Sequence, residues 1–287
     1  MIAFVALAIT YGFQLPEPPP MPKRPIAKQE APLPGREVDL YGDGKYILFI
    51  PHSWKPSSKL KFTIHFHGAS WFAFQEHFRR GLNEPLLAVY VGEGSTVYRN
   101  AFANLDAWPR LLSHVMGVLD LPGDAVVDRI DMTSFSAGYG AVRELLRQSE
   151  PQKLIRRIVL ADSMYASYTS PTDKTPLADQ IQPYVPFAKL AMAGDKGFVV
   201  TCSQVPTETY ANSEACARAL VAAVGGKLSP VAKGFLPATE DPQFPLLNRF
   251  DKGGFHVWSY GGADAQAHMT HPRHIADIWK AVWGETS

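Results

Sequence analysis

Short β-branched and apolar runs alternate along this chain with longer stretches whose apolar positions recur every three or four residues, the pattern of strands interleaved with helices. Residues 37–41 and 45–51 flank Gly42-Asp43-Gly44, a turn suited to a hairpin, so the first two strands are expected antiparallel. Further strands are expected at 59–66, 86–91, 129–132, 155–161, 198–202 and 254–260, which makes eight. Helices are expected at 71–82, 107–119, 139–148, 186–193, 213–224 and 272–283, with Pro186 and Pro272 as first-turn residues and Ser213 as a cap. This alternation builds a mostly parallel sheet with helices on both faces, and in such sheets chemistry gathers at the carboxyl ends of the strands.

Residues 2–9 are almost wholly apolar, and 14–35 is dense in proline, from Pro16 to Pro34. Residues 1–35 therefore read as a signal-like segment followed by an extended tether, ahead of a folded domain at 36–287. Export, to a periplasm or the outside, is the expectation; a cytoplasmic protein with an unstructured tail is the alternative. A length of 287 residues accommodates one large α/β domain. Apolar residues make up 46% and the net charge is +1, which argues against disorder and against a nucleic-acid-binding surface. No 18-residue apolar span follows the N-terminus, so a membrane-spanning domain is not expected. A small-molecule partner fits better, and the oligomeric state is not legible. Cys202 and Cys216 are too few for a disulfide scaffold and lack metal-site spacing; they read as buried thiols whose pairing stays open.

Candidate chemistry centres on Thr133-Ser134-Phe135-Ser136-Ala137-Gly138, where a strand gives way to a helical stretch. A sharp strand-to-helix turn exposes a serine hydroxyl with a helix start behind it, and small neighbours let adjacent backbone approach. Ser134 stands where the usual pattern has glycine. A serine nucleophile needs a base, and the base needs an acid to fix its tautomer. Of nine histidines, His268 follows the last strand and is expected in a loop before the final helix; His271 and His274 are expected on that helix's exposed start. The pair His268-x-x-His271 lacks the companions of a metal site, so no metal is expected.

The region after the seventh strand, where the acid commonly stands, holds no aspartate. Asp162, at the carboxyl end of the sixth strand, is the first candidate, with Glu208 and Glu214 as alternatives. Oxyanion donors are expected from the Ala137 amide and from Ala69 or Ser70 after His67-Gly68. Gly92-Glu93-Gly94-Ser95 lacks the third glycine of a dinucleotide fingerprint and the Gly-Lys-Ser/Thr of a P-loop; it reads as a rim loop lining the site with Tyr98, and no cofactor is expected. Phe135 and Tyr165 complete the expected pocket. The stretch 162–197, carrying Met164, Tyr165, Tyr168, Tyr184 and Phe187, is the expected source of any lid.

Together His67-Gly68, Ser134-Phe135-Ser136-Ala137-Gly138, a downstream acid and His268 resemble the α/β-hydrolase superfamily, over about 36–283. The resemblance implies an eight-stranded, mostly parallel sheet with strand two antiparallel and a small or absent cap. It also implies Ser136 as nucleophile, His268 as base, and cleavage of an ester, amide or thioester through an acyl-enzyme. The lack of an acid after the seventh strand departs from the pattern; members with the acid after strand six would match Asp162. A small cap favours a small-ester carboxylesterase. A peptidase, amidase or acyltransferase using the same residues is the alternative, and a non-catalytic binding protein on the same fold is an alternative of another class.

Overall fold

A strand whose residues are apolar on both faces is stable only inside a covered parallel sheet, and Gly197–Cys202, buried at every position, lies there. The computed structural model describes residues 21–29, 31–232 and 240–284. Its strands are β1 (Gly35–Asp39), β2 (Tyr46–Pro51), β3 (Lys59–Phe66), β4 (Leu86–Val89), β5 (Val126–Phe135), β6 (Ile155–Ala161), β7 (Ala166–Ser167), β8 (Gly197–Cys202), β9 (Tyr210–Ala211), β10 (Ser229–Pro230), β11 (Leu246–Lys252) and β12 (Phe255–Tyr260). The main sheet runs β1-β2-β4-β3-β5-β6-β8-β12-β11-β10, and β7 pairs with β9 in a separate antiparallel clasp. From β4 to β12 the pairs are parallel; β1, β2, β11 and β10 are antiparallel.

The main sheet therefore has ten strands rather than the expected eight. The two extra strands, β10 and β11, form its far edge. Leu246–Lys252 carries Asn248, Arg249, Asp251 and Lys252 and is only half-buried, so it lacks the apolar run that marks a core strand. It becomes a strand by pairing back on β12 across Gly253-Gly254, where Gly253 takes φ 57°.

The helices are α1 (Ser70–Arg79), α2 (Ser95–Ala103), α3 (Ala107–Val118), α4 (Tyr139–Leu145), α5 (Ser149–Leu154), α6 (Ala178–Ile181), α7 (Tyr184–Ala193), α8 (Ser213–Ala223), α9 (Ala265–Arg273) and α10 (Ile275–Trp283). Besides the short α5 and α6, which were not expected, three departures stand out. The expected rim loop is followed at once by α2, whose Tyr98 and Phe102, one turn apart, both face the core. The cap of α8 is Asn212, whose side chain accepts from the Ala215 amide at 2.9 Å, leaving the Ser213 hydroxyl free for another partner. The last helix is two helices that meet at His274, and α9 starts at Ala265 because Asp264 accepts from the Ala267 amide at 2.8 Å.

Phe62, Ile64, Ile130, Met132, Ile158 and Val200 sit in one core between the sheet and its helices, and a second cluster gathers Met21, Phe244, Tyr260 and Trp279. Met21 belongs to the stretch expected as a free tether. That stretch is instead docked: Arg24 forms an ion pair with the buried carboxylate of Asp277, and Arg273 donates to the Arg24 carbonyl at 3.3 Å. The signal-like residues and the first prolines lie outside the described residues. Cys202 and Cys216 are buried free thiols. No described helix is long and apolar enough to cross a membrane.

Candidate active site

Parallel pairing of β3 with β5, β5 with β6 and β6 with β8 brings the chain out at one edge four times, at His67, Ser136, Asp162 and Ser203. Three of these exits are strained. His67 (φ 72°), Ser136 (φ 45°) and Asp162 (φ 45°) are the non-glycine residues with positive φ among the described residues. Left-handed backbone costs a non-glycine residue of order 1–3 kcal/mol, and such strain persists where surrounding contacts over-determine it. At Ser136 those contacts are close. A methyl group on Gly138 would fall against the Phe66 carbonyl and 2.7 Å from Ser134 Oγ, so only glycine lets the turn pack on β3. Ser134 Oγ is 2.7 Å from Ser163 Oγ, which donates to the Ser136 carbonyl at 2.9 Å. The serine in place of the usual glycine thus helps to hold the turn.

Asp162 is fully buried, yet four donors reach its carboxylate. Oδ1 accepts from the Ser203 amide at 2.9 Å and from the Ser213 hydroxyl. Oδ2 accepts from the Ser203 hydroxyl at 2.7 Å and from His268 Nδ1 at 2.6 Å. Burial pushes the carboxyl's pKa up, but the neighbouring His271 and the hydrogen bonds from His268 and Ser213 outweigh it, and the group stays well below the usual carboxylate range. Because Nδ1 donates to the Asp162 carboxylate, Nε2 is the ring nitrogen left to exchange a proton with the cavity. The ring packs on Phe135, the residue before Ser136, with centroids 4.6 Å apart.

Behind the site, His65 is buried between Thr133 Oγ1 at 2.8 Å and the His67 carbonyl at 2.9 Å. Burial takes its pKa down to about 3, so it braces the His67 turn as a neutral ring.

Ser136, Ala137, Tyr165 and His268 line one cavity of about 690 Å³, whose rim includes Glu93, Ser95 and Asp264. Ser136 is half-buried there, and its hydroxyl makes no hydrogen bond among the described residues. Such contacts often tighten only when substrate binds. Ala137 is the second residue of the single 3-10 turn Ser136–Gly138, so its N–H precedes the first intrahelical bond.

Other expected positions lie elsewhere. Tyr98 is fully buried and does not line the cavity; its hydroxyl is 3.0 Å from His67 Nδ1, because α2 turns that face to the core. Ala69 and Ser70 follow the Gly68 turn (φ 118°) into α1 and line neighbouring cavities. One of these, about 320 Å³ and apolar, is shared by Ala69, Phe135, Met269 and Ile26. His268 is on α9 rather than in a loop, and His271 and His274, expected at the surface, are fully buried. Glu214 is hydrogen-bonded to Ser259 and paired with Arg218, not with His268. Of the lid stretch, Met164, Tyr184 and Phe187 are core residues and Tyr165 reaches the cavity. The sequence pattern marks Ser213 only as a helix cap and does not single out Ser203, although Ser203 occupies the place after a strand where the acid was sought.

No family model matches the chain, and no curated protein matches it. Among solved structures it is similar to the enterobactin esterase FES of Shigella flexneri, at 12% identity and a TM-score of 0.50, over 89% of this chain and 62% of that one. It also aligns with an uncharacterised protein of Capnocytophaga ochracea (10% identity, TM-score 0.45, 86% of this chain and 64% of that one). A third match is a dienelactone hydrolase-like promiscuous phosphotriesterase from metagenomic libraries (10%, 0.44, 86% and 98%). The chain spans a little under two thirds of the length of the first two. The strand order and the likeness to the esterase identify the α/β-hydrolase fold.

Proposed function

We propose that this chain is a serine hydrolase that cleaves a carboxylic ester through an acyl-enzyme on Ser136. The observation that carries the reading is the 2.6 Å hydrogen bond from His268 to the buried carboxylate of Asp162, on the cavity into which Ser136 opens from the end of β5. In this reading Asp162 holds His268 with Nε2 facing the cavity, and Nε2 takes the Ser136 proton as Oγ attacks the ester carbonyl. The tetrahedral oxyanion accepts from the Ala137 amide, with the Gly68–Ser70 turn, across Phe135, as the source of a second donor. Collapse breaks the bond to the alcohol, which leaves with the proton from His268. Water, deprotonated by the same nitrogen, then attacks the acyl carbon, and the bond to Ser136 breaks to release the acid as His268 returns the proton to the Ser136 oxygen.

The chain between β6 and β8 adds α6, α7 and the short β7, which clasps β9 from the segment after β8, and among the described residues there is no separate cap, which suits a small ester. The solved likeness to an esterase agrees with this class without fixing the substrate. A fluorophosphonate should label the wild type at Ser136 and leave Ser136→Ala unlabelled. A panel of p-nitrophenyl esters of rising chain length, run beside aminoacyl anilides, separates esterase from amidase or peptidase. No labelling and no turnover would leave a binding protein on this fold.

A further inference from the structure

The cavity wall formed by α4 carries a charge that the proposed chemistry does not use. Arg143 is only 6% exposed, yet it lines the cavity beside Tyr139 and Tyr165. Its Nη1 donates to the side-chain oxygen of Gln180 at 3.1 Å and to the Tyr165 carbonyl at 3.4 Å, both neutral acceptors. Its Nε is buried without a hydrogen-bond partner among the described residues. The carboxylate that pairs with it, Glu144, is 4.0 Å away and is shared with Arg147 at 3.6 Å. Arg99, exposed on α2, lines the same cavity, and its side chain makes no hydrogen bond or ion pair among the described residues. The cavity's own carboxylates are on its rim and engaged: Glu93 accepts from the Tyr90 hydroxyl, and Asp264 caps α9.

A buried guanidinium with an open donor and a shared, distant counter-charge favours an acceptor of its own. Its planar fork matches a carboxylate, and binding one there adds the anion that the wall lacks. We propose that the substrate is an ester bearing a carboxylate, gripped by Arg143 in the wall and drawn in by Arg99 at the mouth. This rests on the serine-hydrolase reading and adds the substrate class.

Two matched pairs test it: p-nitrophenyl hemiglutarate against p-nitrophenyl valerate, with the charge on the acyl side, and 4-carboxyphenyl acetate against phenyl acetate, with the charge on the alcohol side. In at least one pair the wild type should favour the anionic member about tenfold or more in kcat/KM, chiefly through KM, as expected for a charge-assisted hydrogen bond. Arg143→Gln should reduce that preference about tenfold to a hundredfold, Arg143→Lys should restore part of it, and Arg99→Gln should cut it less. Fluorophosphonate labelling of Ser136 in each variant reports an intact site. Labelled wild type that favours the neutral ester in both pairs overturns the carboxylate inference alone, as does a preference that survives Arg143→Gln. If Arg143→Gln does not fold, an undiminished preference in Arg99→Glu overturns it. Absent labelling in the wild type removes the serine reading and this inference with it.

Discussion

His268 Nδ1 lies 2.6 Å from Asp162 Oδ2, across 106 residues of sequence, on a carboxylate that two serines hold from the other side. An asparagine at 162 would offer an amide N–H where the imidazole N–H must be accepted, and would favour the wrong tautomer. Asp162→Asn should keep the circular dichroism of the wild type and lower kcat by about 10³ to 10⁴. Glu208→Gln and Glu214→Gln should stay near wild type. A large loss in Glu208→Gln with an active Asp162→Asn would reassign the acid.

Ser213 matters through Asp162. Its hydroxyl and that of Ser203 stand in for the water that burial removes from the carboxylate. A hydrogen bond to a charged group contributes about 1.5–3 kcal/mol. Ser213→Ala should therefore lower stability at pH 7 by about that amount, read by urea unfolding, and should reduce kcat more than it changes KM. Unchanged stability would mean that the Ser203 donors alone suffice.

Ser134 departs from the glycine usual at its position, and its hydroxyl links to the Ser136 carbonyl through Ser163. Ser134→Gly restores the common motif but leaves the Ser163 hydroxyl short of a buried partner. The expected cost is about 1–3 kcal/mol of stability, with slower fluorophosphonate labelling of Ser136 as its turn loosens. Faster labelling would show that the link restrains the nucleophile rather than holding it in place.

How much of this was legible depends on whether a position answers to local pattern or to distant contacts. β8 and the end of β6 were readable because burial on both faces demands apolar runs, β3 because its apolar residues alternate, and Ser136 and Asp162 stood out as polar residues just past the ends of strands. β11 was not, because its pairing with β12 tolerates polar residues on a half-exposed edge. Asp264 to Ala267 has no apolar period, which hid α9 and made His268 look like a loop residue; a single aspartate cap starts that helix. Tyr98 and Phe102 did carry a helical spacing that a rim loop does not explain. Ser203 and Ser213 left no comparable mark. Serine is common, and their role exists only because the fold closes gaps of 41 and 51 residues.

His271 offers a test through pH. It is fully buried, its Nδ1 is 2.8 Å from Thr201 Oγ1, and its Nε2 has no hydrogen-bond partner among the described residues. Burial lowers its pKa from the ordinary 6.5 to about 4, against the opposing pull of Asp162. A base whose pKa is depressed by folding binds its proton less well folded than unfolded. Its contribution is therefore whole above pH 6.5 and is lost as pH falls toward 4, by on the order of 3 kcal/mol. His65 acts in the same direction, with a pKa of about 3, while Glu76 and Asp131, raised by burial to about 7 and about 6, act in the opposite one. The wild-type curve sums these with other shifted groups, among them His77 and His67, both lowered by burial, so the difference between wild type and His271→Gln is the informative quantity. Measured by urea unfolding from pH 4 to 8, that difference should change in favour of the wild type up to about pH 6.5 and level off above it. A flat difference across the range would mean that His271 takes up its proton equally in the folded and unfolded chain.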